Sequence, residues 1–311
     1  VTGSRRARIG TAAAFATVGA GVAAVAYGGL YERNAFVVRR VDVPVLPAGS
    51  KPLTVLHLSD VHMTPGQTRK QRWLRSLSDF DPDLVVSTGD NLAHLRALPA
   101  VLDAYQDLLD VPGVFVFGSN DYYSPTPKNP ARYLIGPSGM RKRVPDLPYE
   151  LMRAEFRAAG WLDLSNASGR LEVAGTTLAF SGVDDPHVGR DDLDSLPGAY
   201  ADDDADLRIG VAHAPYLRVL DAFNVRGFPL VLAGHTHGGQ LRVPGVGALV
   251  TNCDLDRGRA RGLSTHRTAG HEPSWMHVSA GCGTSPYAPV RFACRPEATV
   301  LELRPVDSPR N

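Results

Sequence analysis

Five times in this chain a short apolar run stops on a polar cluster, and that recurrence limits the folds open to it. Leu53–Leu58 (LTVLHL) runs into Ser59-Asp60-Val61-His62, Leu84–Ser87 into Gly89-Asp90, and 114–117 into Gly118-Ser119-Asn120-Asp121. Later, 207–212 runs into His213, and 229–232 into Gly234-His235-Thr236-His237. Helical spacing separates the first three: Trp73, Leu74, Leu77 and Phe80 share one face of 69–80, and 98–109 is again helical. Strand, helix, strand, helix, strand reads as a βαβ series with a largely parallel inner sheet. In open α/β folds the site lies beyond the carboxyl ends of the strands, so Asp60, Asp90 and Asn120 are expected to converge. A helix is expected over 151–159, with short strands at 161–164, 170–173, 177–181, 275–279 and 299–303. Chain order points to two packed sheets with helices outside.

The 311 residues carry 33 basic and 32 acidic side chains. A net charge of +1 lacks the excess of a bulk nucleic-acid binder, so no nucleic acid is expected as a partner. Cys253, Cys282 and Cys294 form no CxxC pair; three free thiols is the simplest reading, with one bridge open to an exported domain. No Gly-Lys-Ser/Thr phosphate loop is present.

The N-terminus differs in character. Residues 1–8 are a basic tail with Arg5, Arg6 and Arg8, and 9–31 are uncharged and rich in Ala, Gly and Val. At about 1.5 Å per helical residue, such a run can cross a bilayer. It reads as a transmembrane helix, a single-pass cell-membrane anchor. An export signal with small residues at Ala24-Val25-Ala26 and a twin-arginine pair is the second reading, and a soluble Ala-rich helix the third. The tighter arginine cluster before the run favours a folded domain outside the cytoplasm. Residues 32–50, with Pro44 and Pro47, read as a linker or an edge strand, 51–305 as one domain, and 306–311 as a tail.

The polar clusters hold the chemistry. In an extended stretch, residues two apart face the same way, so Asp60 and His62 can reach one metal, as can His235 and His237. Mixed carboxylate and imidazole donors suit Mn, Fe or Zn better than Ca or Mg. Any one cluster is weak evidence; five in order are not. That order resembles the calcineurin-like metallophosphoesterase family, whose pattern is D-x-H, G-D, G-N-H, a lone His, then G-H-x-H. Gly234 to Gln240 (GHTHGGQ) looks like the family's membrane-associated branch. The resemblance implies a four-layer α/β/β/α sandwich and two divalent or trivalent metal ions. The first would take Asp60, His62 and His237, the second Asn120, His213 and His235, with Asp90 bridging. It implies a phosphoesterase in which the ions lower the pKa of a shared water and the hydroxide attacks phosphorus in line. Its substrate would be a phosphorylated small molecule or lipid, with the bilayer as a partner. The metallo-β-lactamase pattern needs Asp-His soon after H-x-H, and Gly238-Gly239-Gln240-Leu241 does not supply it.

One position departs from the pattern. Matching Ser119-Asn120-Asp121 to G-N-H puts Asp121 where the family has a histidine that stabilises the transition state or protonates the leaving group. An ionised Asp121 cannot donate a proton. Three readings stay open: a good leaving group such as a phosphoanhydride, a donor elsewhere (His94 or His187), or metal and phosphate binding with little turnover. Residues 182–190 (GVDDPHVGR) read as a hydrogen-bonded turn or a substrate loop. The basic loop with Lys128, Arg132, Arg141, Lys142 and Arg143 reads as solvated or as meeting an anionic head group, and 202–204 as a solvated acidic loop. His57 reads as a packed strand histidine, while His266, His271 and His277 fall outside any motif.

Overall fold

The computed structural model describes residues 19, 21–127, 144–198 and 204–307. In chain order the strands are β1 (Val37–Leu46), β2 (Leu53–Leu58), β3 (Leu84–Ser87), β4 (Gly113–Phe115), β5 (Leu162–Asp163), β6 (Ala167–Val173), β7 (Thr176–Gly182), β8 (Leu207–Val211), β9 (Leu230–Ala233), β10 (Arg242–Val243), β11 (Gly247–Ala248), β12 (Gly262–His266), β13 (Ser274–Val278) and β14 (Glu297–Pro305). The helices are α1 (Thr68–Arg75), α2 (Leu98–Tyr105), α3 (Ser119–Tyr122), α4 (Tyr149–Ala158) and α5 (Leu217–Val225). One sheet runs β1-β14-β2-β3-β4-β5, the other β12-β13-β9-β8-β7-β6, and β10-β11 is a separate hairpin. β2 through β5 are parallel, as are β7, β8, β9 and β13, so the inner strands of each sheet deliver their carboxyl ends to one edge.

Side-chain alternation explains the layering. Leu53 and Val55 on β2, and Leu84 and Val86 on β3, enter the layer between the sheets, where Phe180, Ile209 and Leu232 meet them from the other side. Leu56, Leu58 and Val85 point the opposite way and pack with Leu74, Val101 and Phe156 of α1, α2 and α4. A third cluster joins Val231, Met276 and Val278 to Val219, Leu220 and Phe223, placing α5 on the outer face of the second sheet. Strands buried on both faces read as unbroken apolar runs, which is why they stand out in the sequence. The result is a mixed α/β fold, with helices covering the outer face of each sheet.

Three elements have weak sequence signals. α5 and β12 lie in stretches with no clear period. β1 occupies residues that read as a linker or an edge strand, and it pairs in parallel with β14 at the sheet edge. Its register shifts at Pro44, a residue with no N–H to give a ladder. Charge pairs bind β1 to β14: Arg40 to Glu302 at 3.0 Å and Arg304 to Asp42 at 2.6 Å.

The N-terminal expectation is corrected. Among the described residues, no helix is long and apolar enough to cross a membrane. The single-pass anchor over 9–31, and the cell-membrane placement with an external domain that followed from it, are therefore not supported. The physical reason is that the end of the run docks on the domain. After a helical stretch at 21–26, a π-turn (Tyr27–Tyr31) puts the Gly28 carbonyl 3.2 Å from the Arg291 N–H. The buried Glu32 then accepts from the Ala293 and Cys294 N–H groups at 3.0 and 2.5 Å. Residues 1–18 and 20, the basic stretch 128–143, and Asp202 and Asp203 lie outside the described residues.

Candidate metal centre

The loops after β2, β3, β8 and β9 meet at the shared edge of the two sheets. They are stitched by backbone: Asp60 N–H to the Gly89 carbonyl (2.9 Å), His62 N–H to Asp90 (2.9 Å), and Gly234 N–H to His213 (2.9 Å). The chain turns sharply to aim the side chains. Asp60, His62, Asp90, His235 and His237 all have φ between 45° and 66°, the left-handed region that non-glycine residues avoid. Glycine is required where backbone meets these groups. A Cβ on Gly234 would strike Ser59 Oγ and Asp60 Oδ2, and one on Gly118 would strike Asp90 Oδ1 and the His213 ring.

Asp60, His62 and His237 bring donor atoms within 4.8 Å of one another, as do Asp60, Asp90 and His213. Asp60 Oδ2 accepts from Ser59 Oγ (2.6 Å) and the His235 N–H (2.9 Å). Its Oδ1 is buried with no hydrogen-bond partner and lies 3.5 Å from His237 Nε2 and 3.9 Å from His62 Nε2. Asp90 stands between two groups of imidazoles, with Oδ2 3.4 Å from His62 Nε2 and Oδ1 3.6 Å from His213 Nε2.

The imidazoles are oriented from behind. His213 Nδ1 lies 2.7 Å from the Thr88 carbonyl and donates there, while His235 Nε2 lies 3.3 Å from the Asn252 carbonyl and 3.4 Å from the Asn252 side-chain nitrogen. His213 Nε2 and His235 Nδ1 then face each other at 3.3 Å. Two ring nitrogens so placed repel unless a proton or a cation lies between them. Among the described residues, no lysine or arginine pairs with the buried carboxylates of Asp60, Asp90 and Asp185. Buried charges are paired or bind metal, and this donor set fits metal.

Electrostatics agree. Burial, then His237, holds His62 well below its ordinary range, and burial, then His187 and His213, does the same for His235. Burial, only partly offset by Asp60, lowers His237 to about 4. These three are neutral near pH 7, the form that ligates a cation. His213 is the exception: burial lowers it, but Asp90, Asp185 and Asp60 overcome that and raise it to about 9. The proton it keeps sits among carboxylates that a cation would otherwise balance.

Several expected residues are placed differently. Asn120 donates both its backbone N–H and its Nδ2 to Asp90, each at 2.7 Å, so it braces the central carboxylate. Asp121 is fully buried and turned away, accepting backbone N–H groups from Asp90 (2.8 Å), Asn91 (2.7 Å), Leu92 (3.2 Å) and Gly118 (2.9 Å). It clips the β3 loop to α3. His94 accepts from the Arg96 N–H at 3.0 Å within its own loop. In 182–190, Asp184 accepts from the Tyr122 hydroxyl (2.8 Å) and Arg190 (2.9 Å), and the turn carries His187 against His235, ring centroids 4.4 Å apart. Sequence reasoning missed Arg291. Its buried guanidinium donates to the Ala280 (2.7 Å), Gly281 (3.2 Å) and Gly283 (2.6 Å) carbonyls and sits 3.2 Å from His237 Nδ1. No local pattern marks it, because its partners come together only in the fold.

Fold and site together define a hydrolase of the metallophosphoesterase class. The family model described as calcineurin-like phosphoesterase matches residues 53–239, and this chain belongs to that family. It is 27% identical over 263 residues to the uncharacterized metallophosphoesterase YkoQ of Bacillus subtilis, covering 83% of this chain and 86% of the relative. It is 29% identical over 282 residues to a transmembrane protein with metallophosphoesterase domain of Bos taurus, covering 86% of this chain but 57% of that one. It is 26% identical over 265 residues to the phosphodiesterase YaeI of Escherichia coli, covering 81% and 82%. The chain is a phosphoesterase with residues placed to bind metal.

Proposed function

We propose that this protein hydrolyses phosphate ester or phosphoanhydride bonds at a dinuclear metal centre. The observation that carries the reading is Asp90, whose two carboxylate oxygens face two separate imidazole groups at 3.4 and 3.6 Å. Asp60, His62 and His237 would hold one ion, and His213 and His235 the other, with Asp90 between. Asn120 fixes both Asp90 oxygens through its donors and enters as a brace for the bridge. When bound, the ion pair supplies a lowered pKa for water and balances charge on the phosphate oxygens. The chain's own residues orient that chemistry: Thr88 and Asn252 fix the two second-site rings, and Ser59 fixes Asp60. Mn, Fe and Zn match this donor set. The Escherichia coli relative, a phosphodiesterase by name, brings diesters into the substrate range. A lipid-linked substrate rested on the membrane anchor, and nothing in the site favours it over a soluble ester.

The test is hydrolysis of phosphomonoesters, phosphodiesters and pyrophosphates by full-length protein with Mn, Fe or Zn. Activity should need metal, vanish with chelator, and fall at least ~100-fold in Asp90→Ala, as expected when a group stabilising transition-state charge is removed. Activity that survives Asp90→Ala would reject the dinuclear centre.

A further inference from the structure

We propose that a cavity of about 340 Å³ beside the N-terminal segment is a second binding site, one that takes the phosphoryl group of a small organic phosphate. Its walls come from distant parts of the chain: Tyr27 and Glu32 from the docked N-terminal segment, Arg39 from β1, Arg261 from the position before β12, and Phe292 and Arg295 from the loop before β14. The volume lies within the range of small-ligand clefts. None of the candidate metal ligands lines the cavity, so the site is independent of turnover at the metal centre.

The lining is positively charged. Three guanidiniums meet one carboxylate, that of Glu32, and each of its oxygens already accepts a backbone N–H, from Ala293 or Cys294. Arg39 is paired through Nε with Glu297, and Arg295 gives Nε and Nη2 to the Ala35 and Phe36 carbonyls at 2.6 and 3.2 Å. A guanidinium carries more N–H donors than these bonds use, so both keep some for a ligand. Arg261 is the least satisfied of the three. Among the described residues it has no carboxylate partner, and its contact with Cys294 Sγ, from Nη1 at 3.9 Å, is weak. Arg242 adds to the excess: burial, then the neighbouring Arg261, holds its guanidinium below its ordinary range. Half-buried guanidiniums without matching acids are stabilised by an anion, and their planar fork matches the oxygens of a phosphoryl group.

The remaining wall is aromatic. Tyr27 and Phe292 meet edge to face with ring centroids 6.2 Å apart, and Tyr27 keeps 46% of its surface exposed. Rings beside guanidiniums suit a ligand that carries a flat apolar part next to its charge. The cavity also backs onto the candidate metal loop. The Arg261 stem lies against Gly238, where an added Cβ would come within 3.3 Å of Arg261 Cδ. The adjoining Ala260 carbonyl accepts from Thr236 Oγ1 at 2.6 Å, and Thr236 stands between His235 and His237 in the chain. Arg261 is thereby held to the loop that carries two of the candidate ligands.

The experiment is calorimetric titration of full-length protein, stripped of metal by chelator, with inorganic phosphate and with phenyl phosphate. Wild type should bind one phenyl phosphate per chain, about 3-fold or more tighter than inorganic phosphate. Arg261→Gln should weaken phenyl phosphate binding at least ~10-fold, and Arg261→Lys by less. Phe292→Ala should remove the preference for phenyl phosphate and leave inorganic phosphate within about 2-fold of wild type. Because a cavity variant can fail to fold, wild type is also treated with the arginine reagent phenylglyoxal. Saturating phenyl phosphate should slow modification of Arg261 at least ~5-fold and leave the exposed Arg267 unaffected. No binding to stripped wild type, unchanged affinity in Arg261→Gln, or equal modification of Arg261 with and without phenyl phosphate would overturn the site. Equal affinities for the two ligands would overturn the organic ligand in favour of free phosphate.

Discussion

At the scale of single residues, the two aspartates of the first sheet's loops have opposite duties. Asp90 faces the candidate metal groups and Asp121 accepts backbone N–H groups, though they lie side by side in space. Asp121→Ala strands four buried N–H groups at once and should lower stability by about 3 kcal/mol, with Asp121→Asn recovering part of that. Denaturant unfolding checks this; an unchanged midpoint for the alanine variant would show that Asp121 is not the clip described. Gly234→Ala should be as harmful as a core cavity, since its methyl group meets Ser59 Oγ and Asp60 Oδ2. The loss should appear in both metal content and unfolding midpoint. The candidate ligands were legible as a set because each lies at the end of an apolar run, a signal confined to a few neighbouring positions. The bracing by Asn120 and the cage around Arg291 were not, because both depend on partners brought from other strands.

At the scale of elements, a buried pair links the facing sheets. His57 on β2 and His277 on β13 meet Nδ1 to Nδ1 at 2.9 Å, and His57 Nε2 reaches Thr88 Oγ1 at 3.1 Å. Burial, then His277, holds His57 well below its usual range, and burial lowers His277 to about 4. Both are thus neutral in the fold but titrate near 6.5 when unfolded. With the folded value depressed, the unfolded chain binds more protons between those values. Stability from this pair is intact above about pH 6.5 and lost as pH falls toward about 4. Unfolding of metal-free protein over that window should show a shallower slope in His277→Gln; parallel slopes would remove the pair from the account. The strand β1 teaches a different point about legibility. Its alternation is broken by paired arginines and Pro44, and its partner β14 lies some 260 positions away, as in Arg40 to Glu302. Removing residues through Leu46 should uncover β14 as an edge, and light scattering should report association.

At the scale of the whole molecule, the candidate centre draws side chains from both sheets: Asp60, His62 and Asp90 from one, and His213, His235 and His237 from the other. A cation held there binds only the folded arrangement, so it should stabilise the entire domain. Metal at 100 times its dissociation constant should add about 2.7 kcal/mol. Thermal unfolding should move upward with Mn or Zn in wild type and stay fixed in Asp90→Ala. The general plan, strands alternating with helices and a site at their carboxyl ends, was readable because parallel strands covered on both faces are apolar throughout. The N-terminal run misled for a related reason. Small apolar residues suit a bilayer and suit close docking on a protein surface equally well, and Gly28 against Arg291 shows the second use.

The left-handed backbone at Asp60, His62, Asp90, His235 and His237 bears on how such a sequence drifts. Each position is strained by about 1 kcal/mol relative to a glycine. Relaxed from chemical duty, a lineage would slide toward glycine or asparagine there and fold the better for it. A descendant that keeps its aspartates and histidines at all five is still being held to its reaction, and one that has traded them away has become a scaffold.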